Sequence, residues 1–284
     1  PMSYSFFVTA PDGPPAFSKV VGGIGLDGVV CVEPPRANDG WPLGEPFHFL
    51  MRGRSAREVE VGFEQEGAFH VRILTCAARV DYELAMAFID AIAKLTKGTI
   101  HPEDGDGVPW NERERAFGSE WIDKMVEWGP KMVADIVERE GNMLSLRGPN
   151  RVFHFGRRLL AELRKSGDHH VFSKRLLEMS VRLQWLEGTF EQPKPVLTLP
   201  RSRRDPAAGF TAIEWRPETR CFLPGGDYLA LDAAEKMLVP YAKGPELAGD
   251  KWTYLDEVQA IVEPLSLVEW AAMLKNASKH RVDA

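Results

Sequence analysis

Along residues 58–64 and 69–73 apolar and polar positions alternate, and from residue 81 the apolar spacing changes to that of a helix. Val59, Val61 and Phe63 alternate with Glu58, Glu60 and Glu64, while Phe69, Val71 and Ile73 alternate with His70 and Arg72. Successive side chains of a strand point to opposite faces, so each segment has one dry and one wet face. Gln65-Glu66-Gly67-Ala68 joins them with a glycine able to take positive φ, which predicts an antiparallel hairpin. Glu60 and Glu64 then lie near Arg72, each exposed pair contributing roughly 0.2 to 1 kcal/mol.

The next segment places Ala85, Phe88, Ile89, Ile92 and Leu95 on one helical stripe and Glu83, Asp90 and Lys94 on the other. Asp90 precedes Lys94 by one turn, the favourable order for an ion pair. Asp81 is suited to cap the start and Gly98 to follow the end. An amphipathic helix must cover an apolar surface, and the sheet before it is the nearest, so residues 47–104 are expected to form a β-β-α layer resumed by Thr99 and Ile100.

Elsewhere the pattern predicts strands at Tyr4 to Thr9 and Gly28 to Val32, with a proline-broken loop over 33–46. A long stripe of Ile122, Met125, Val126, Met132, Val133, Ile136 and Val137 predicts a helix from Ser119, kinked or divided at Gly129-Pro130. Strands are expected over 143–146 and 151–155, and helices over 156–165 and 173–186. From Pro193 the texture turns to proline, arginine and short β-type runs at 196–199 and 210–215, which divides the chain into halves 1–192 and 193–284. Pro224-Gly225-Gly226 predicts a hairpin between Phe222 and Tyr228 to Leu231. Helices are expected over 233–242 and 254–262, and a last one behind the capping box Ser266-Leu267-Val268-Glu269. The fold class that results is α+β, with antiparallel sheet layers covered by amphipathic helices in two closely packed halves.

Composition narrows the function classes. With 44% apolar and 27% charged residues over 284 positions, the chain can bury a full core. A net charge of -6 disfavours nucleic acid as a partner, because phosphate contacts require a basic surface. Three widely spaced cysteines, Cys31, Cys76 and Cys221, form neither a disulfide framework nor a metal knuckle and point to a reducing cytoplasm. The opening residues lack the basic start and apolar run of a secretory signal, and no run approaches the roughly 20 residues of a membrane span.

Several clusters carry candidate chemistry. Gly23-Ile24-Gly25-Leu26-Asp27-Gly28 has the spacing of a pyrophosphate loop, but a strand-like run follows it where a helix is required, so a flexible turn is the better reading. His101-Pro102-Glu103-Asp104-Gly105-Asp106-Gly107 gathers oxygen ligands yet departs from the EF-hand order, so no metal is expected there. Glu103, Asp104 and Asp106 beside Trp110 instead suit a contact surface for a basic protein. Arg52, Arg54 and Arg57 form a second candidate contact, able to clamp an anion or to pair with Glu58. Asp168-His169-His170 could offer two imidazoles to a metal or one to general-base work, but adjacent histidines diverge on a helix and no third ligand accompanies them, so exposed loop histidines are the better reading. Arg201, Arg203 and Arg204 read as a solvated linker or an ion-paired surface. No GxSxG, Walker A, HExxH or cysteine-nucleophile signature nominates a catalytic residue, and no cofactor is implied.

The run Phe47-His48-Phe49, Gly53-Arg54-Ser55-Ala56-Arg57, Glu58-Val59-Glu60-Val61 and the Glu103-Asp104-Gly105 sequel resembles bacterial cytoplasmic proteins of the polymorphic-toxin immunity type. The resemblance spans about residues 45–110, with an echo at Asp227-Tyr228-Leu229 and the last two helices. It implies a stoichiometric inhibitor that binds a cognate toxin without turnover. The alternatives are an enzyme whose site is assembled from distant residues, with Glu103, Asp104, His169 and His170 as its participants, or a scaffold or adaptor protein.

Overall fold

A computed structural model describes residues 3–34, 40–165, 167–193, 195–202, 205–232 and 237–282. The chain divides into two compact units, Pro1–Trp185 and Leu186–Ala284. The fold is α+β, as the alternation of patterns predicts.

The first unit is built on a six-stranded antiparallel sheet. Its strands are β1 (Ser3–Thr9), β2 (Val29–Cys31), β3 (Phe47–Met51), β4 (Val59–Phe63), β5 (Ala68–Leu74) and β6 (Ile100–Pro102), in spatial order β2-β3-β4-β5-β1-β6. The predicted hairpin is β4 and β5, in a register that pairs Glu60 with Arg72 across the strands. Their side chains meet at 3.0 Å, whereas Glu64 reaches His70 at 3.6 Å. Gly67 takes a φ of 76° in the connection. One face of the sheet is dry, with Phe6, Val8, Phe49, Val59, Val61, Phe69, Val71 and Ile73 buried under helix α2 (Arg79–Thr96).

Helix α2 begins two residues before the expected Asp81. Ala78 is the N-cap and has no side-chain acceptor, while Asp81 in the first turn accepts the Ala78 N–H at 2.8 Å. At the other end the left-handed residue is Lys97, with φ 53°, rather than Gly98. Gly98 is needed for space, because a Cβ there would collide with the Thr9 carbonyl oxygen. The expected Asp90 to Lys94 pair is replaced by tertiary partners. Arg113 grips both Asp90 oxygens at 2.7 Å, and the Lys94 ammonium lies 5.3 Å from the centre of the Trp110 ring.

Around this layer stand α1 (Phe17–Gly23), α3 (Arg113–Phe117), α4 (Ser119–Glu140), α5 (Arg157–Arg164), α6 (His169–Gln184) and the strand pair β7 (Leu144–Arg147) with β8 (Val152–Phe155). Helix α4 runs unbroken through Pro130 instead of dividing there. Gly129 before the proline is buried against the β5–α2 connection, where a Cβ would lie 3.0 Å from the Cys76 nitrogen. Tertiary packing therefore holds the segment helical despite the lost backbone donor.

The second unit departs most from the sequence reading. Strands β9 (Pro195–Ser202), β10 (Asp205–Glu214), β12 (Tyr228–Asp232) and β13 (Met237–Pro240) form one sheet in which β10 and β12 run parallel. β11 (Cys221–Leu223), β14 (Trp252–Tyr254) and β15 (Ala260–Val262) form another. Pro224-Gly225-Gly226 thus joins strands of two sheets rather than a hairpin. The expected helix over 233–242 is overturned at its described end, where Met237 to Pro240 pairs with β12; residues 233–236 lie outside the described residues. The expected helix over 254–262 is a β14–β15 connection instead. Buried Asp256 accepts the Val258 and Gln259 N–H groups at 2.9 and 2.7 Å, diverting the backbone from helical bonding. Helix α7 (Gly244–Ala248) is followed by α8 (Leu267–Ala277), which keeps its predicted capping box, with Ser266 N donating to Glu269 at 2.7 Å. The core gathers Trp215, Tyr241, Trp252 and Met273 with the strand interiors.

Gly98→Ala tests the packed end of α2. Because the obstacle is backbone, it is expected to destabilise the protein by at least about 3 kcal/mol, the upper end for overpacking, whereas Gly53→Ala, at φ 76° in open space, is expected to cost about 1–2 kcal/mol. Chemical denaturation distinguishes them, and a Gly98→Ala protein as stable as the parent would contradict the close approach.

Candidate functional site

The acidic loop is the tip of a short hairpin on the edge of the sheet. Ile100 and Val108 exchange backbone hydrogen bonds of 3.0 and 2.7 Å, which fixes both ends of the 103–107 turn. Gly107 lies against the His101 ring, where a Cβ would come within 2.6 Å of it. Glu103 donates its N–H to the Ser5 carbonyl and accepts the Ser5 N–H at 2.9 Å, and Asp104 accepts the Tyr4 hydroxyl. Burial first, then the Asp104 carboxylate, pushes the Tyr4 hydroxyl well above the usual phenol range, so it remains a donor at neutral pH. Two acidic residues thereby tie the tip to β1 while staying exposed, and Asp106 is exposed beside them.

Trp110 follows on a 3-10 turn, Trp110–Glu112, with 41% of its surface exposed. Lys94 lies over its ring, and the Arg113 to Asp90 clamp holds the end of the turn against α2. Glu103, Asp104, Asp106 and Trp110 are therefore presented on a braced loop. The eight tryptophans do not all share this position: Trp41, Trp215 and Trp252 are buried, and Trp128 is exposed.

The arginine cluster separates. Arg52 and Arg54 are exposed on the turn after β3, where Gly53 has φ 76° and Arg54 donates to the Met51 carbonyl at 3.1 Å. Arg57 is only 6% exposed, so it is not available for an exposed three-arginine clamp. It enters the sheet under the start of α2, and the expected pairing of Glu58 goes to His48 at 3.2 Å.

Around Arg57 lies a polar node that alternation did not predict. Asp81 is fully buried and its Oδ2 accepts N–H groups from Ala56, Arg57 and Ala78 at 3.1, 3.1 and 2.8 Å. Ser55 is also buried, accepts the Met51 N–H at 2.7 Å, and receives the Trp185 indole N–H on its carbonyl at 2.8 Å. Cys76 completes the node with φ 59° and a thiol that burial pushes up to about 12, which leaves it a poor nucleophile. Desolvation lowers the Arg57 guanidinium, with Cys76, Asp81 and Glu58 opposing. Arg57 Nε and Nη1, Thr75 Oγ1 and Asp81 Oδ1 have no hydrogen-bond partner among the described residues. The sequence signal available was an aspartate in the first turn after a strand.

The remaining clusters resolve simply. Asp168 caps α6 by accepting the His170 N–H at 2.8 Å, so the histidines open a helix rather than occupy a loop. His170 turns to Glu127 at 2.9 Å, while His169 lines a cleft with Lys131 and Arg164. The GxGxxG run leaves a helix and enters β2, the reverse of a dinucleotide loop. No group of three or more metal-ligating residues occurs among the described residues. Arg203 and Arg204 lie outside the described residues, as does the side chain of Arg201. No described helix is long and apolar enough to cross a membrane.

Asp81 has a measurable signature. Burial raises its carboxyl from 3.8 to about 6, against the hydrogen bonds from the Ser55 side chain and from the Ala78, Arg57 and Ala56 backbone. Below pH 3.8 the proton is bound in both folded and unfolded chains; between there and about 6 only the folded chain keeps it, so stability falls as pH rises and levels off above. Relative to Asp81→Asn, the parent protein is expected to lose about 3 kcal/mol across that window in urea denaturation. Parallel pH profiles for the two proteins would refute the raised carboxyl.

No curated protein matches the chain, and no solved structure does. Residues 41–187 match a family described as a domain of unknown function, DUF4299. That span runs from Trp41 through the Arg57–Asp81 node and the acidic tip to just beyond the Trp185 anchor, and the chain belongs to the DUF4299 family.

Proposed function

We propose that this chain is a stoichiometric protein-binding inhibitor, acting by occupation of a partner rather than by turnover. The observation that supports it is the braced acidic tip, where Glu103, Asp104 and Asp106 stand exposed beside the partly exposed Trp110. A surface already ordered before contact loses little conformational entropy on binding, and tryptophan is a frequent interface anchor. The partner matched to this chemistry is a basic protein. On this reading the setting is a bacterial cytoplasm and the partner a cognate toxin, as the immunity-type resemblance of residues 45–110 implies. Arg52 and Arg54 would form a second contact of opposite charge. The residues of the competing enzyme reading take separate structural partners, Glu103 with Ser5, Asp104 with Tyr4 and His170 with Glu127.

The test is co-expression with the protein encoded beside this gene, followed by size-exclusion chromatography and growth assays. A one-to-one complex and rescue of growth are expected. Trp110→Ala is expected to weaken the complex by at least about 30-fold, the loss typical of a hot spot. Asp106→Asn is expected mainly to slow association and flatten its salt dependence. Lethality that persists with this protein in excess, or an affinity indifferent to Trp110→Ala, would overturn the proposal.

A further inference from the structure

The face of the first sheet turned away from α2 carries one large apolar side chain that the core does not use. Phe7 alternates with the buried Phe6 and Val8 on β1 and is 37% exposed, the only large apolar residue of strands β1–β6 to stand so open. The register sets its neighbours. Phe7 lies opposite His70 on β5 and His101 on β6, so three rings form a row across the sheet. The Phe7 and His70 rings stack with centroids 4.7 Å apart and planes within 9°, and His101 is held against Gly107 at the root of the acidic tip. Burial lowers the His70 imidazole, with Glu64 opposing, so the stack is uncharged at neutral pH.

The charges bordering this row do not cancel. Arg72 is the one arginine or lysine in strands β1–β6, and Glu60 takes it at 3.0 Å. The Glu64 carboxylate meets the neutral His70 at 3.6 Å. At the other end of the row Glu103 takes the Ser5 N–H, Asp104 takes the Tyr4 hydroxyl and Asp106 stands exposed, so none of the three has a cationic partner among the described residues. Four carboxylates thus flank the rings without a fixed counter-charge, Glu64 on the β4 side and the tip on the β6 side.

This arrangement selects a planar cation. An aromatic ring offers its negative face to a cation, and arginine combines such stacking with forked hydrogen bonds to carboxylates. A nucleic acid would be repelled by the carboxylates, and a wholly apolar surface would bury them without partners. We propose that an arginine-bearing segment of the basic partner lies across this row, with one guanidinium on the Phe7 ring and others on Glu64 and the acidic tip. The proposal deepens the protein-binding reading and rests on it: Phe7 joins Trp110 as a second aromatic anchor, and the interface runs from the tip over the sheet to β5.

The experiment is a chemical-shift titration of the ¹⁵N-labelled full chain, at low ionic strength, with hexa-arginine and hexa-lysine peptides. Hexa-arginine is expected to shift the amides of Phe7, His70 and Glu64 saturably, together with those of the 103–110 segment. Hexa-lysine is expected to bind about two- to fivefold more weakly, the worth of one exposed cation–π contact, and Phe7→Ala is expected to remove that difference. Glu64→Gln is expected to diminish the His70 shift while those of the tip persist. Both side chains lie outside the core, and the unshifted remainder of each spectrum reports that the variant is folded. Shifts confined to 103–110, equal affinity for the two peptides, or an arginine preference that survives Phe7→Ala would overturn the proposal. Such a failure beside an intact one-to-one complex strikes this extension alone; a complex that never forms, beside the expected titration, strikes the inhibitor reading instead.

Discussion

One buried carboxylate organises the first unit. Asp81 Oδ2 collects N–H groups from Ala56, Arg57 and Ala78, so a single atom joins the entry to β4 with the start of α2. Hydrogen bonds to charged groups contribute roughly 1.5–3 kcal/mol each, enough to offset much of the cost of burying the carboxylate. The same junction positions Ser55, on which Trp185 closes, and the Thr75-Cys76 turn, on which α4 rests through Gly129. Removing Asp81 would leave Arg57 as a buried cation whose remaining charged neighbours include Glu58 and Glu60. The strands, α2 and α4 thus depend on a contact among residues 25 positions apart in the chain.

Legibility followed the range of the interactions. The β4–β5 hairpin, the stripe of α2 and the Ser266 box are fixed by neighbours within a few residues, and each was readable from spacing alone. The strand at Tyr228 to Leu231 was readable too, but the region from Met237 to Val262 was not, because Met237 to Pro240 and Ala260 to Val262 acquire their partners from other strands. Short apolar runs satisfy both helical and extended spacing, and only pairing decides between them. Arg57 shows the same limit at one residue. Its neighbours Arg52 and Arg54 are exposed, yet the start of α2 folds over it, and nothing local distinguishes the three.

At the acidic tip, composition revealed the charge but not its division of labour. Glu103 and Asp104 read as two equivalent exposed acids, whereas each is also a tether, one to Ser5 and one to Tyr4. Their contacts cross from residue 103 or 104 back to β1, a separation no periodicity reports. The tethers matter physically because they convert a glycine-containing turn into a surface with few states. Trp110 gains the same property from Lys94 above it and from Arg113 behind it. An exposed aromatic held this way keeps apolar area available without the rotamer freedom that contact would have to remove.

The charges of the tip also act beyond contact. The three acids of the tip share one sign and belong to a chain of net charge -6, so their field extends over about one Debye length, roughly 8 Å at physiological salt. A field of this sign would act on a basic partner before contact, and chiefly on the rate of encounter.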